Sequence, residues 1–326
     1  MLARTAERMY WFGRYMERAE ATARLVAVNT NLVLDLPKVK HIWASLIDIN
    51  GTTAEFNQRF TRADERNVVK FLLEDESGSI RAAIRRAREN ARTTREIIPT
   101  EAWERVNELH LYLRRNVDKG IKRDGRHRFL TDIINLCNQL TGLLAGNMSD
   151  DDEYNFIKIG RNLERADMTT RVVDVGCLNM ANPDQGDITE YENILWMNVL
   201  RSLTGYQMYR QHVRDRVNSE DVVAFLLTNE KFPRAVVHCL ADVHAHCEAL
   251  PKNDAVIRAI AHAQRMITSQ NVLDIFRDDK LHDFIDDIQL ELAEIHTQVG
   301  QTWFGYTPRT SIPESAEIAT ASQSSG

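Results

Sequence analysis

The chain has 326 residues, enough for one large helical domain or two of average size. A hydrophobic fraction of 43% with 27% charged residues is ordinary globular composition, and a net charge of −6 argues against a generic nucleic-acid binder. Seven prolines and fourteen glycines are few for this length, which favours long uninterrupted helices because both residues weaken helix interiors.

In chain order, a long helix is predicted over residues 2–34, stopped by Pro37. Arg4, Glu7, Arg8 and Arg14 interrupt its apolar residues, so no signal-peptide core is expected. Helices are expected around Trp43, Phe56 and Phe71, then over 79–98, 100–119 and 126–147. Between Arg81 and Arg128 there are 14 Lys and Arg against 7 Asp and Glu, a local +7 that leaves −13 for the remainder. Such polarity can orient an anionic partner but names none. The chain divides near Ser149, whose hydroxyl is placed to cap a helix opening with Asp150, Asp151 and Asp152. The second half is predicted to repeat the scheme, with breaks at Asn182–Pro183 and near Pro233 and Pro251. Trp303, Phe304 and Tyr306 are expected to clip the last helix to the core, and the Ser- and Ala-rich end reads as a disordered tail.

The expected fold is therefore all-α, with a first helical repeat over 1–148, a second over 149–306 and a tail over 307–326. No stretch reaches about 18 apolar residues without charge, so no membrane span is expected. Cys137, Cys177, Cys239 and Cys247 lie far apart without a CxxC pair, as reduced thiols of a cytoplasmic protein would.

Internal repetition is the most informative feature. Gly13-Arg14-Tyr15-Met16-Glu17-Arg18-Ala19-Glu20-Ala21-Thr22-Ala23-Arg24 matches Gly160-Arg161-Asn162-Leu163-Glu164-Arg165-Ala166-Asp167-Met168-Thr169-Thr170-Arg171 at seven identical positions. The correspondence continues with Trp43 on Trp196, Phe56 on Tyr209, Val68–Leu73 on Val222–Leu227, and Arg81-Ala82 on Arg234-Ala235.

On a helical wheel, Glu17, Glu20 and Arg24 fall within about 40° of Gly13, inside the apolar face of Met9 and Met16. Glu164, Asp167 and Arg171 repeat the stripe, while Arg14, Arg18, Arg161 and Arg165 lie at its margin. Charges within an apolar face must be paired or line a polar cavity. Glu20 with Arg24 and Asp167 with Arg171 have the favourable acid-first i,i+4 spacing. Glu17 and Glu164 then need other partners, for which an arginine of the opposite copy serves if the two long helices cross. Two roles fit: a buried ion-pair network that docks similar halves, or a central cleft lined by acids and guanidinium groups of both, in which carboxylates such as Glu17 and Glu164 act as general acid and base or hold a cation.

The segments Met1-Leu2-Ala3-Arg4, Tyr10-Trp11-Phe12-Gly13-Arg14 and Glu17-Arg18-Ala19-Glu20, with Gly160-Arg161 and Glu164-Arg165-Ala166-Asp167, resemble the bacterial alpha-E family, helical proteins named for a Glu-Arg motif. Its marker residues map onto Glu17, Arg18, Glu164 and Arg165. The resemblance covers nearly the whole chain outside the tail and brings no catalytic assignment with it. It implies partners: circularly permuted ATP-grasp peptide ligases and transglutaminase-like proteins, hence a shared pathway of peptide synthesis or modification. The expected role is a non-catalytic accessory, scaffold or peptide-binding component without cofactor; the alternative is an enzyme of amide modification using the paired carboxylates.

Other patterns are thinner. Arg81, Arg85, Arg88, Arg92 and Arg95 form one basic stripe that suits an anionic partner, although such stripes are commonly solvated helix faces. His238, Cys239, Asp242, His244, His246 and Cys247 include zinc-ligand types, but their spacing follows no recognised site and no metal is expected. No phosphate loop, dinucleotide fingerprint, serine elbow or Cys-His motif is present, so any ATP chemistry belongs to another protein.

Overall fold

The computed structural model of the chain describes residues 2–35, 42–181, 192–213, 215–277 and 280–306. Every regular element among the described residues is helical. A 33-residue helix, α1 (Ala3–Asp35), is followed by α2 (Ile42–Ile49), α3 (Thr53–Arg59), α4 (Glu65–Glu74), α5 (Ile80–Thr93), α6 (Thr100–Ile121) and α7 (Arg123–Asn147). A second long helix, α8 (Asp152–Ala181), leads to α9 (Glu192–Ser202), α10 (Tyr206–His212), α11 (Ser219–Thr228), α12 (Val236–Glu248), α13 (Asp254–Ser269), α14 (Val272–Arg277) and α15 (Leu281–Val299). The last runs into a π-turn at Gly300–Phe304.

Local chemistry fixes several boundaries. Asp64, Ser79 and Asn218 accept backbone N–H bonds from Asn67, Ala82 and Asp221, capping α4, α5 and α11. Helix α5 stops at Thr93, short of the expected Ile98. There Thr93 and Thr94 turn their hydroxyls onto the Asn90 carbonyl, a competition that disfavours continuing the helix. Ser149 does not cap α8, contrary to expectation. The first turn accepts at the Asp151 carbonyl from Asn155 N–H, so Asp152 and Glu153 are the acids at the positive helix end. The breaks near Pro233 and Pro251 fall between α11, α12 and α13 as expected. Asn182–Pro183 and the tail lie outside the described residues.

Helices α1 and α8 pack most extensively against each other. Around them, α5 and α7 flank α1 with α6 behind, and α12 and α15 flank α8 with α13 behind. One hydrophobic core runs through both groups, from Phe12, Met16 and Leu109 to Leu163, Val243 and Ile288. The helical end is clipped as the aromatics suggest. Phe304 packs on Tyr10 and Phe156, Trp303 Nε1 donates to the Pro251 carbonyl at 2.8 Å, and Tyr306 donates to Glu7 at 2.6 Å. Gly305 permits this reversal at φ +78°. Among the described residues no helix is long and apolar enough to cross a membrane.

Candidate functional site

The site begins with two glycines. A Cβ at Gly13 would overlap the Ile157 carbonyl oxygen, and one at Gly160 would overlap the Tyr10 carbonyl oxygen. Without side chains there, α1 and α8 approach backbone to backbone, and the charged positions one turn on reach across the crossing. Arg14 Nε donates to Glu164 Oε2 at 2.6 Å; Arg18 Nε and Nη2 donate to its two oxygens at 2.5 and 3.0 Å. Reciprocally, Arg161 Nε donates to Glu17 Oε2 at 2.8 Å, and Arg165 donates to both Glu17 oxygens at 3.1 and 2.9 Å.

The neighbouring acids differ between the two long helices. Glu20 accepts from Arg24 at 2.9 and 3.0 Å and lies 3.5 Å from Arg161 Nη2. Arg234 bridges Glu17 at 2.6 Å and Glu20 at 3.0 Å. Among the described residues the Asp167 carboxylate holds only Arg171, at 3.1 Å. Arg81, aligned with Arg234 in sequence, is solvent-exposed.

Glu17 and Glu164 are 1% and 0% exposed. Burial alone pushes both carboxyls up. The guanidinium groups of Arg165, Arg234 and Arg161 override it at Glu17, and those of Arg14 and Arg18 override it at Glu164, so both stay below the ordinary carboxylate range. A buried carboxylate with each oxygen already accepting from guanidinium is a poor proton carrier near neutral pH. The geometry is that of a charge-compensated helix crossing.

Beside the network lies a groove of about 470 Å³ between α1, α8 and α15. Arg14, Arg18, Asp167 and Arg171 form its polar wall, with Asp286 at one end and His296 at the other. Tyr10 is fully buried; its hydroxyl lies 3.3 Å from Arg14 Nη1 and 2.8 Å from His296 Nδ1. Arginine only donates, so pairing the buried tyrosine hydrogen assigns it to His296 Nδ1 and places the imidazole hydrogen on Nε2. Burial, then Arg14, lower the His296 pKa to about 4, leaving it neutral. On the other flank of the crossing, the space beside Glu17 and Glu20 is only about 20 Å³.

A family model described as "a predicted alpha-helical domain with a conserved ER motif" matches residues 1–304. The chain belongs to the Alpha-E family. No curated protein and no solved structure matches it.

The Alpha-E chain joins Arg14 and Arg18 to Glu164, Arg161 and Arg165 to Glu17, and Arg24 to Glu20, whereas Arg171 pairs with Asp167 beside the crossing. Arg234 and His296 also take part from outside the signature, and Tyr10 from the segment that leads into it. Arg234 was signalled by its alignment with Arg81, but a helix wheel of one element cannot show which of the two turns inward. Tyr10 and His296 meet from opposite ends of the chain, and no local pattern announces them.

The basic stripe lies apart from the crossing. Arg81, Arg85, Arg92 and Arg95 are exposed, Arg85 pairs with Glu76 and Arg92 with Glu89. Arg88 donates to Asn107 at 2.7 Å and covers the Trp103 ring. The His and Cys residues of α12 are otherwise engaged: His238 with the Glu230 carbonyl, His246 with Asn155, and Cys239 and Cys247 buried. Burial pushes the Cys239 thiol up to about 12. Among the described residues, Asp174, His282 and Asp286 carry metal-ligand atoms within 4.8 Å of one another. There a 2.7 Å hydrogen bond to Asp174 raises the His282 pKa.

Proposed function

We propose that the chain is a non-catalytic accessory or scaffold component of a peptide-ligation system. In this reading it consists of two duplicated helical halves docked about a pseudo-twofold axis. It works in the cytoplasm beside an ATP-grasp peptide ligase, a transglutaminase-like protein, or both. The observation that carries the reading is the state of Glu17 and Glu164, sealed from solvent and held ionised by arginines of the opposite half. Catalysis by proton transfer needs a group poised near the working pH and within reach of substrate. Reciprocal pairing instead supports a duplicated interface, and the missing nucleotide motif leaves ATP chemistry to the partner. The alpha-E resemblance supplies the partner class.

Co-expression with the ATP-grasp and transglutaminase-like proteins tests the reading. A stable complex at micromolar concentration is expected with at least one of them, and no association with either overturns it. Amide hydrolysis or transfer by the isolated chain, abolished by Glu17→Gln without loss of thermal stability, would replace it with an enzymatic role.

A further inference from the structure

We propose that the groove between α1, α8 and α15 binds a short extended peptide, holding its C-terminal carboxylate on Arg14, Arg18 and His296 with its amino end toward Asp286. The inference deepens the accessory reading, on which it rests for context, by naming what the chain would hold for its partner.

The donors are specific. Arg14 is 9% exposed and spends Nε on Glu164 and Nη1 on the Tyr10 hydroxyl, while its Nη2 meets no acceptor among the described residues. Arg18 spends Nε and Nη2 on Glu164, and its Nη1 likewise meets none. Both side chains line the groove. Glu164, behind them, fixes the two guanidinium groups, so little side-chain freedom is lost when a ligand arrives. His296 adds a neutral donor, because Tyr10 commits its Nδ1 as acceptor and leaves Nε2–H. Arg14 and Arg18 share Glu164, and Arg14 and His296 share the Tyr10 hydroxyl, so the three donors form one group that matches a carboxylate, which guanidinium binds through paired N–H groups.

Charge decides the class of ligand. Arg14, Arg18 and Arg171 are balanced by Glu164, Asp167 and Asp286, and His282, 3.8 Å from Asp286, is balanced by Asp174, so the region has no net positive charge to favour a phosphate dianion. The charges are instead separated along the groove. Asp286 and His296 lie ten positions apart on α15, about 15 Å at 1.5 Å per residue. A zwitterion spanning that length in extended form has about four residues at roughly 3.5 Å each. Between the ends, Leu163, Leu292 and Ala293 provide an apolar wall for small side chains. A volume of about 470 Å³ falls within the range of small-ligand sites.

Calorimetry on the full chain tests this with tetraalanine, tetraalanine amide and inorganic phosphate as probes. Tetraalanine is expected to bind, its C-terminal amide at least about tenfold more weakly, and phosphate not measurably. Ala293 is exposed on the groove wall, and its side chain makes no bond to the buried network. Ala293→Glu should keep the wild-type melting temperature and weaken tetraalanine binding by at least about tenfold through charge repulsion. Arg18→Gln should weaken it similarly, but Ala293→Glu keeps the test valid if that variant unfolds. Equal binding of acid and amide, binding of phosphate alone, no binding of tetraalanine, or undiminished binding by Ala293→Glu overturns the proposal. Partner association retained in Ala293→Glu separates failure here from failure of the accessory reading.

Discussion

Glu164→Gln is nearly isosteric and removes one charge from the centre of the crossing. Arg14 and Arg18 then have no carboxylate within hydrogen-bond distance among the described residues, because both direct their carboxylate bonds to Glu164 alone. The Arg14 side chain is 11% exposed and that of Arg18 31%, so water can relieve Arg18 in part and Arg14 hardly at all. Orphaning one partner of a buried pair costs about 3–5 kcal/mol, and the partial relief of Arg18 places the expected loss near the lower end. At about 2.1 cal/mol/K per residue, unfolding a chain of this length carries about 0.7 kcal/mol/K, so the melting temperature should fall by roughly 5 °C. Differential scanning calorimetry measures it. Glu17→Gln should cost no more, since Arg161 and Arg234 retain Glu20. Adding Arg14→Met to Glu164→Gln should recover part of the loss, with a coupling of about 0.5–3 kcal/mol. A Glu164→Gln protein melting within about 1 °C of wild type, or strict additivity in the cycle, would refute the reasoning.

Gly13→Ala and Gly160→Ala should each lower the melting temperature, although alanine in a helix interior ordinarily stabilises by about 1 kcal/mol, because the new Cβ strikes a facing backbone carbonyl; a rise would show that the helices are not in backbone contact. His296 has its pKa lowered to about 4, so the folded state binds fewer protons than the unfolded one between there and about 6.5. Its contribution is complete above that window and is lost as pH falls through it, by about 1–2 kcal/mol once screening by groove water is allowed for. His296→Gln should flatten this part of the pH–stability curve relative to wild type, and an unchanged slope would count against the buried imidazole. Arg85→Glu combined with Arg92→Glu should leave folding intact, since both side chains are exposed, and weaken partner association if the basic stripe is the dock; unchanged binding in the same pull-down removes the stripe from consideration.

Helix identity was legible because periodicity and capping are local. Ser79, set before an apolar run, caps α5 as its position suggests. Boundaries were less so: Thr93 and Thr94 end α5 through hydroxyl bonds that a wheel does not represent, and three adjacent acids left the start of α8 ambiguous. Within the crossing, the signature that occurs on both long helices made Glu17 and Glu164 readable as buried charges, and the need for compensation pointed across to the other helix. What the sequence could not convey was asymmetry. Arg234 turns inward to Glu17 and Glu20 while its aligned counterpart Arg81 stays in solvent, and among the described residues Asp167 keeps only Arg171. The open groove lies on the flank of Asp167, and its Tyr10–His296 contact joins residues 286 positions apart.

Carbon-13 NMR of the Glu17 and Glu164 carboxyl carbons, followed from neutral pH downward, tests the internal-pairing account most directly. Both signals should stay in the ionised position through pH 4.5 and beyond, as long as the protein remains folded. An inflection between pH 5 and 7 for either carboxyl would contradict the account and mark that residue as a proton carrier.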